Sequence, residues 1–278
     1  MNENTIAEFW QNHPCGEGLV GTLESDYQKF FDEYDAFRYG TEKHILACLD
    51  DIDWAGKKVL EVGLGQGADA EQIIRRGANW SGLDLTDEAV ERTSARLSLR
   101  GFSHNGAHKG SILETPFADN EFDMVFSHGV LHHIPDIYSA QKEIRRVLKN
   151  DGELVIMVYA KWSLNYLLAI SVIRRLGLIA LVASGAKPYG LLGQHVNNAQ
   201  SRGLFNYLKM NNFIHHNTDG PSNPYSKVYD RRVVAKDFPD FRVVRTYKRF
   251  MHAPPLPVQN FPGGNLLGWH LWAHLRPQ

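Results

Sequence analysis

Cysteine is nearly absent from this chain. Two copies in 278 residues, Cys15 and Cys48, make no disulfide framework and no metal-ligand pattern, so a reducing cytoplasm is the expected compartment. Neither charge is in excess. Thirty basic residues stand against 31 acidic ones, which argues against a polyanion-binding surface and so against DNA or bulk RNA as partner. The opening Met-Asn-Glu-Asn-Thr-Ile lacks the basic start and apolar core of a secretion signal. Internal repeats and low-complexity tracts are also missing.

One apolar run needs weighing as a membrane span. Leu164 to Ala183 is strongly apolar, but Arg174 and Arg175 sit at its centre and Gly177 follows. Two arginines there would cost about 2.5–3.5 kcal/mol each on insertion, so no transmembrane span is expected. A buried or cofactor-capping helix is the reading taken, with peripheral contact to lipid as the alternative.

What remains is an ordinary globular composition, 43% hydrophobic and 22% charged, enough for a sizeable core. Residues 1–50 read as helical over Ile6–Gln11, Tyr27–Tyr39 and Glu42–Asp50, joined by a loop through Pro14, Gly16, Gly18 and Gly21. From Lys57 strands and helices alternate. The strands are Lys58–Val62, Trp80–Leu85, Ala107–Leu113, Phe122–Ser127 and Gly152–Tyr159. The helices are Asp69–Arg76, Thr86–Arg100 and Tyr138–Lys149, with apolar residues at helical spacing. Such alternation predicts a parallel sheet covered on both faces. Residues 161–229 interrupt it as an insertion holding the apolar helix, a Gly/Asn/Gln/Ser-rich stretch (190–203) and a loop (211–225). A helix at Arg231–Phe238 and strands at Phe241–Phe250 and Gly268–Leu275 close the chain.

The most informative run is Val59-Leu-Glu-Val-Gly-Leu-Gly-Gln-Gly67. An apolar strand breaks into three glycines and then a helix start, a turn whose backbone a flat nucleoside cofactor can approach closely. Gly63, Gly65 and Ala68 also satisfy a dinucleotide pattern, with Asp84 at 21 residues from Gly63, so the turn alone leaves two cofactors open.

Three further runs follow in order: Gly82-Leu-Asp-Leu-Thr86; Thr115 to Ser127 leading into Val130-Leu-His-His133; and Glu143-Ile-Arg-Arg-Val-Leu-Lys-Asn-Asp-Gly-Glu-Leu154. With these the chain resembles the class I S-adenosylmethionine (SAM)-dependent methyltransferases, within them the broad group that includes the ubiquinone/menaquinone-biosynthesis C-methyltransferases. The resemblance covers about residues 58–160 well and the last two strands loosely. It implies an α/β fold: a Rossmann-like, seven-stranded, mostly parallel sheet with an antiparallel last strand. Residues 1–50 would be a helical lid, 51–160 with 230–278 the SAM-binding domain, and 161–229 an inserted substrate cap.

The resemblance also places the cofactor. Gly63, Gly65 and Gly67 would let the backbone pass beside the ribose and methionyl portion. Glu61 would accept from the tail's ammonium, and Asp84 would take both ribose hydroxyls with its two oxygens; its competing reading is a helix N-cap. The family usually has an acid after the third strand for the adenine amino group, and here Ser111 stands there. Ile112 and Leu85 would then help hold adenine. Ser127 and His128 follow the fourth strand, with His128 bordering the methyl group. Arg38 and Tyr39 could hold the SAM carboxylate, Arg being suited to that fork.

Methyl transfer needs positioning and exclusion of water, and a base only if the acceptor loses a proton. His128, His132 and His133 are the candidates, with hydrogen-bonded structural histidine as the plain reading of the last two. Being adjacent, His132 and His133 would point apart on a helix, so no metal is expected. Asp219, Tyr225 and Tyr229 are candidate acceptor contacts, against a merely solvated loop. The expected activity is methyl transfer from SAM, releasing S-adenosyl-L-homocysteine, to a small and hydrophobic acceptor. A silent SAM-binding protein, an RNA or protein methyltransferase, and a nicotinamide oxidoreductase are the alternatives.

Overall fold

The computed structural model describes residues 3–14, 16 and 26–278; Cys15, Gly18 and Gly21 lie outside the described residues. Seven strands form one sheet in the order β3-β2-β1-β4-β5-β7-β6. They are β1 Lys58–Val62, β2 Asn79–Asp84, β3 Ala107–Lys109, β4 Phe122–His128, β5 Leu148–Tyr159, β6 Phe241–Arg249 and β7 His270–Pro277. Strands β1 to β5 pair in parallel. Only β7 runs against its neighbours, wedged between β5 and β6.

Side chains alternate strictly across the sheet. Leu60, Val125, Leu154, Ile156, Ala273 and Leu275 face one core, packed on by Ile137, Ile144 and Val147 of the helix Ile137–Val147. Val59, Met124, Phe126, Val155 and Trp272 face the other, with Ile45, Leu49, Trp54, Ile73 and Trp80. The third strand is shorter than expected. It stops at Lys109, because Ser111 and Glu114 fold back into a bridge ahead of Pro116.

The N-terminal helix Tyr27–Thr41, expected to form part of a lid, is tied to the sheet helices by charge. Arg96, fully buried on the helix Asp87–Leu99, donates through Nε to Glu71 at 2.9 Å and through Nη2 to Asp35 of the N-terminal helix. Arg100 adds Asp32 at 2.7 Å. Removing Arg96 would leave Glu71 to Arg75 and Arg100, and part-buried Asp35 to Arg100 alone, so the tie between the two helices would loosen.

The insertion departs from expectation twice. Residues 190–203, a Gly/Asn/Gln/Ser-rich stretch given no element in the sequence, form a helix over Gly190–Arg202. The apolar segment is one helix, π-wound over Asn165–Arg174 and α-helical over Arg175–Ala183, but it is mostly exposed rather than buried. Its inner side joins a third apolar cluster with Val196, Tyr207, Phe213, Ile214 and Trp269.

A carboxylate at the base of the sheet gives a pH signature. Glu143 accepts from Arg146 Nη2 at 2.6 Å and from the N–H and hydroxyl of Thr115 at 2.7 and 2.9 Å. Arg146 above all brings it down to about 2 from its ordinary 4.5. A carboxylate depressed on folding stabilises fully above its unfolded value and loses that contribution as pH falls through the folded one. Glu143→Gln should therefore lower the urea midpoint at neutral pH. The gap from the parent should persist down to about pH 4.5 and close between there and about pH 2.

Candidate functional site

The glycine turn runs from the end of β1 into the helix Ala68–Arg75. Gly63, Gly65 and Gly67 all hold left-handed φ, at 84°, 53° and 73°. A Cβ on Gly63 would stand 2.1 Å from Val130 Cγ2. Gly67 acts differently, since a Cβ there would meet the Thr93 backbone at 3.0 Å; it lets two helices pack and does not line the pocket. Asp84 closes the turn from outside. Its Oδ2 accepts from the Leu64 N–H at 2.7 Å, and its Oδ1 from the N–H and hydroxyl of Thr86, both at 2.9 Å. The N-cap of the next helix is Thr86, not Asp84.

Around this turn opens a cavity of about 540 Å³ at the carboxyl ends of the strands. Gly63, Gly65, Asp84, Leu85 and Ile112 line one part of it; Arg38, His128, His133 and Asp219 line the rest. Trp10 and Ile6 of the helix Glu3–Asn12 cover it.

Other candidates lie elsewhere. Glu61 points to the opposite face of the sheet by strand alternation and accepts from the Trp80 indole at 2.7 Å. Burial first, then the charge of Asp69, raises its carboxyl well above the usual range. Ser127 is buried and donates to the Val62 carbonyl at 3.0 Å, tying β4 to β1. Tyr39 donates to the Ala68 carbonyl at 3.1 Å. Ser111 donates to the Glu3 carboxylate, which itself lines the pocket. Tyr229 is 1% exposed and packs in the core beside Ala160, while the Tyr225 ring stacks on His215.

Three side chains from separate stretches meet in a buried charge cluster. Asp69 Oδ2 lies 2.7 Å from Arg38 Nη2 and 2.6 Å from His128 Nδ1. Burial alone would raise the Asp69 carboxyl, but Arg38 and His128 outweigh it and hold it well below the usual range. Three atoms of this cluster are buried without a hydrogen bond among the described residues: Arg38 Nε, Asp69 Oδ1 and His128 Nε2. Buried polar atoms are nearly always paired, so a donor, an acceptor and an imidazole nitrogen left bare beside one cavity point to a polar ligand. Asp69 escaped the sequence reading because an acid in a helix's first turn is what the helix dipole already favours.

A second polar group lies in the insertion-side wall. His132 and His133 sit in the 3₁₀ turn Leu131–His133 after β4. His133 Nδ1 is 2.7 Å from the Tyr225 carbonyl, and its Nε2 is 3.4 Å from Asp219 Oδ2. Tyr159 donates to Asp219 Oδ1 at 2.7 Å and its ring lies 3.9 Å from that of His132. His132 is fully buried behind the wall, and burial, then His133, holds it neutral.

Comparison with known proteins agrees with this geometry. Residues 60–156 match the family described as a methyltransferase domain. A sterol 24-C-methyltransferase of Aspergillus fumigatus is 39% identical over 99 residues, 35% of this chain and 26% of that protein. A ubiquinone biosynthesis O-methyltransferase of Alkalilimnicola ehrlichii is 31% identical over 130 residues, 46% of this chain and 51% of that one. The chain thus spans about a quarter to a half of these relatives. Among solved structures, geranyl diphosphate C-methyltransferase from Streptomyces coelicolor, in complex with Mg2+, geranyl diphosphate and S-adenosyl-L-homocysteine, superposes with a TM-score of 0.57 at 13% identity over 99% of this chain and 97% of that one. A SAM-dependent methyltransferase from Aquifex aeolicus gives 0.53 at 15% identity, over 91% and 98%. At these identities the structures speak for the fold.

Gly63 separates two costs that a single substitution would mix. Gly63→Ala should destabilise strongly, through the collision with Val130 and through the left-handed backbone. Adding Val130→Ala should recover the collision and leave the backbone share, about 1–3 kcal/mol. Thermal unfolding of the two variants checks this.

Proposed function

We propose that this chain, whose residues 60–156 match a methyltransferase domain, is a class I SAM-dependent methyltransferase that transfers a methyl group to a small, apolar acceptor. The observation that carries this reading is the trio of bare polar atoms beside the glycine turn. SAM's tail presents a carboxylate and an ammonium. Arg38 offers donors to the first, and Asp69 Oδ1 an acceptor to the second. That gives Asp69 the role expected of Glu61, whose side chain faces away from the cavity. Asp84 has three lone pairs engaged by Leu64 and Thr86, one of them on Oδ2, so Oδ2 keeps room to accept from a ribose hydroxyl. The carboxylate expected at position 111 is supplied from a distant stretch by Glu3, which Ser111 holds at the pocket wall; Ile112 packs nearby.

Bound SAM supplies a methyl group on a positively charged sulfur. The chain's own part is to orient the acceptor and exclude water. His128 Nδ1 lies 2.6 Å from Asp69 Oδ2 and 2.9 Å from Arg38 Nη2, with Nε2 unpaired; in the tautomer whose Nδ1–H donates to Asp69, Nε2 is an oriented base for an acceptor that must lose a proton. Trp10, Ile6, Ile134 and Met157 give the cavity an apolar side, which suits an acceptor like those named for the relatives, a sterol or a quinone precursor.

Two measurements test this. SAM, and not NAD, should raise the melting temperature, and Asp69→Asn should weaken that shift at least tenfold in affinity, about 1.4 kcal/mol. Labelled SAM incubated with the host's small-molecule extract should yield a labelled apolar product; SAM binding without S-adenosylhomocysteine formation would make the protein a silent binder instead.

The insertion supports a peripheral contact with an anionic lipid surface. The helix Asn165–Ala183 is long and apolar enough to cross a membrane by length and composition, and 17% of its window is buried. Leu176, Tyr189, Leu191 and Phe205 are exposed at 61, 97, 63 and 87%. From Leu154 to Thr218 there is no acidic residue, against Lys161, Arg174, Arg175, Lys187, Arg202 and Lys209. Arg174 turns inward to the carbonyls of Asn217 and Pro254, which leaves the outer face apolar. An apolar helix with basic flanks lies in the interface and is drawn to anionic headgroups. The protein should sediment with vesicles containing anionic lipid, less so at high salt, and Leu176→Asp with Leu191→Asp should abolish it. Binding to neutral vesicles alone, or a dimer that loses its contact in the same variant, would overturn this part.

A further inference from the structure

The polar group in the insertion-side wall takes no part in holding SAM. One ligating atom from each of His132, His133 and Asp219 lies within 4.8 Å of the other two. The second nitrogen of His133 and the second oxygen of Asp219 are already engaged, in a way that leaves the first free. His133 Nδ1 faces the Tyr225 carbonyl at 2.7 Å, and a carbonyl can only accept, so Nδ1 carries the proton and Nε2 keeps its lone pair. Asp219 Oδ1 accepts from Tyr159, which leaves Oδ2. Both Nε2 of His133 and Oδ2 of Asp219 are buried without a hydrogen bond, as are both ring nitrogens of His132. His132 and His133 are 0 and 3% exposed.

With the ring neutral and its proton on Nδ1, His133 Nε2 and Asp219 Oδ2 are two acceptors 3.4 Å apart. A neutral imidazole at His132 adds a third. Left bare, each costs about 1–3 kcal/mol. The separation has a simple chemical meaning: two ligands on a tetrahedral centre with bonds of about 2.0–2.2 Å stand about 3.3–3.5 Å apart. The contacts behind them also match a metal site, where a ligating histidine donates its other N–H to a backbone carbonyl and a ligating carboxylate is itself hydrogen-bonded.

We propose that His132, His133 and Asp219 bind one divalent transition-metal ion of the zinc, iron(II) or cobalt class. The donor set of two imidazoles and one carboxylate is that of metal sites which keep open positions. His133 and Asp219 line the cavity, so the ion would sit in its wall. If the methyl-transfer reading holds, on which this part rests, the ion holds and orients an oxygen of the acceptor. The ion is carried by residues from both the sheet and the insertion, so its binding couples the acceptor wall to the catalytic domain. Adjacency in sequence concealed the pair: on a 3₁₀ turn the two rings come within 4.2 Å of each other and Asp219 arrives from 86 residues away.

The test is metal uptake by the full chain, stripped by chelator and dialysed. Titration with Co2+ should show one equivalent bound, with the visible absorption of a four- or five-coordinate site. His133→Gln and Asp219→Asn should each weaken it at least tenfold, with metal-free melting temperatures close to the parent's. Tyr159→Phe, which removes only the bond behind Asp219, should weaken it less. No Co2+ above background would overturn the proposal. So would equal uptake by the double variant His133→Gln/Asp219→Asn, which would assign the ion to other histidines. The two readings fail separately: methyl transfer undiminished in chelator sinks the metal and leaves the transferase, whereas Co2+ uptake without SAM binding does the reverse.

Discussion

The carboxylate of Asp69 is the point on which the rest of the site depends. It lies one step inside the helix after the glycine turn and is reached by Arg38 from the N-terminal helix and His128 from the end of β4. Three stretches of chain, 31 and 59 residues from it, thereby share one buried charge. A lone carboxylate there would be costly. Arg38 and the first-turn position at the helix N-terminus offset that cost, and the same pairing turns Arg38 Nε, Asp69 Oδ1 and His128 Nε2 towards one cavity with no other partner. Structure and site are thus one arrangement: the contact that seats the N-terminal helix also leaves the groups a zwitterionic ligand requires.

Strand alternation decides which acids can join it. Glu61 precedes Val62, the last residue of β1, and is one residue out of phase with the cavity that Val62 lines, so its side chain goes under the Trp80 indole. There burial favours its neutral form, and the nearby negative charge of Asp69 adds to the effect. Charge is concentrated at one carboxylate and removed from the other. Asp84, ending the neighbouring strand, stays half-buried at the surface of the cavity because Leu64 and Thr86 hold it there.

The sheet was legible because its signals are local. Lys58–Val62 is a strand by composition, the glycines that follow need left-handed backbone, and Thr86 caps a helix with its own hydroxyl. The count of seven strands, with the last reversed, was expected from the closing strand pair and the family resemblance; their order in the sheet comes from the structure. The site was legible where backbone makes it, at Gly63 and Gly65, and at the strand ends Asp84 and His128. It was illegible where distant segments meet. Nothing in the spacing of Glu3 and Ser111, 108 apart, announces their contact. Tyr229 reads as a polar-loop tyrosine, yet its backbone pairs with Tyr159 and draws the ring into the core.

The insertion shows why a long polar segment need not be a solvated loop. Asn223 and Ser226 are 0 and 1% exposed. Their side chains bond each other at 2.8 Å, and Ser226 also reaches Thr218 at 2.7 Å and His133 at 3.1 Å. His215 accepts the Ser226 N–H at 3.0 Å. Buried polar groups that satisfy one another hold a single conformation, since any slip leaves several unpaired at once in a low-dielectric interior. The insertion-side wall of the cavity is therefore set by side-chain hydrogen bonds, while the outer face of the same insertion is apolar and basic. One segment presents a rigid polar surface inward and a lipid-compatible one outward, which is what an enzyme drawing an apolar acceptor from an interface would need.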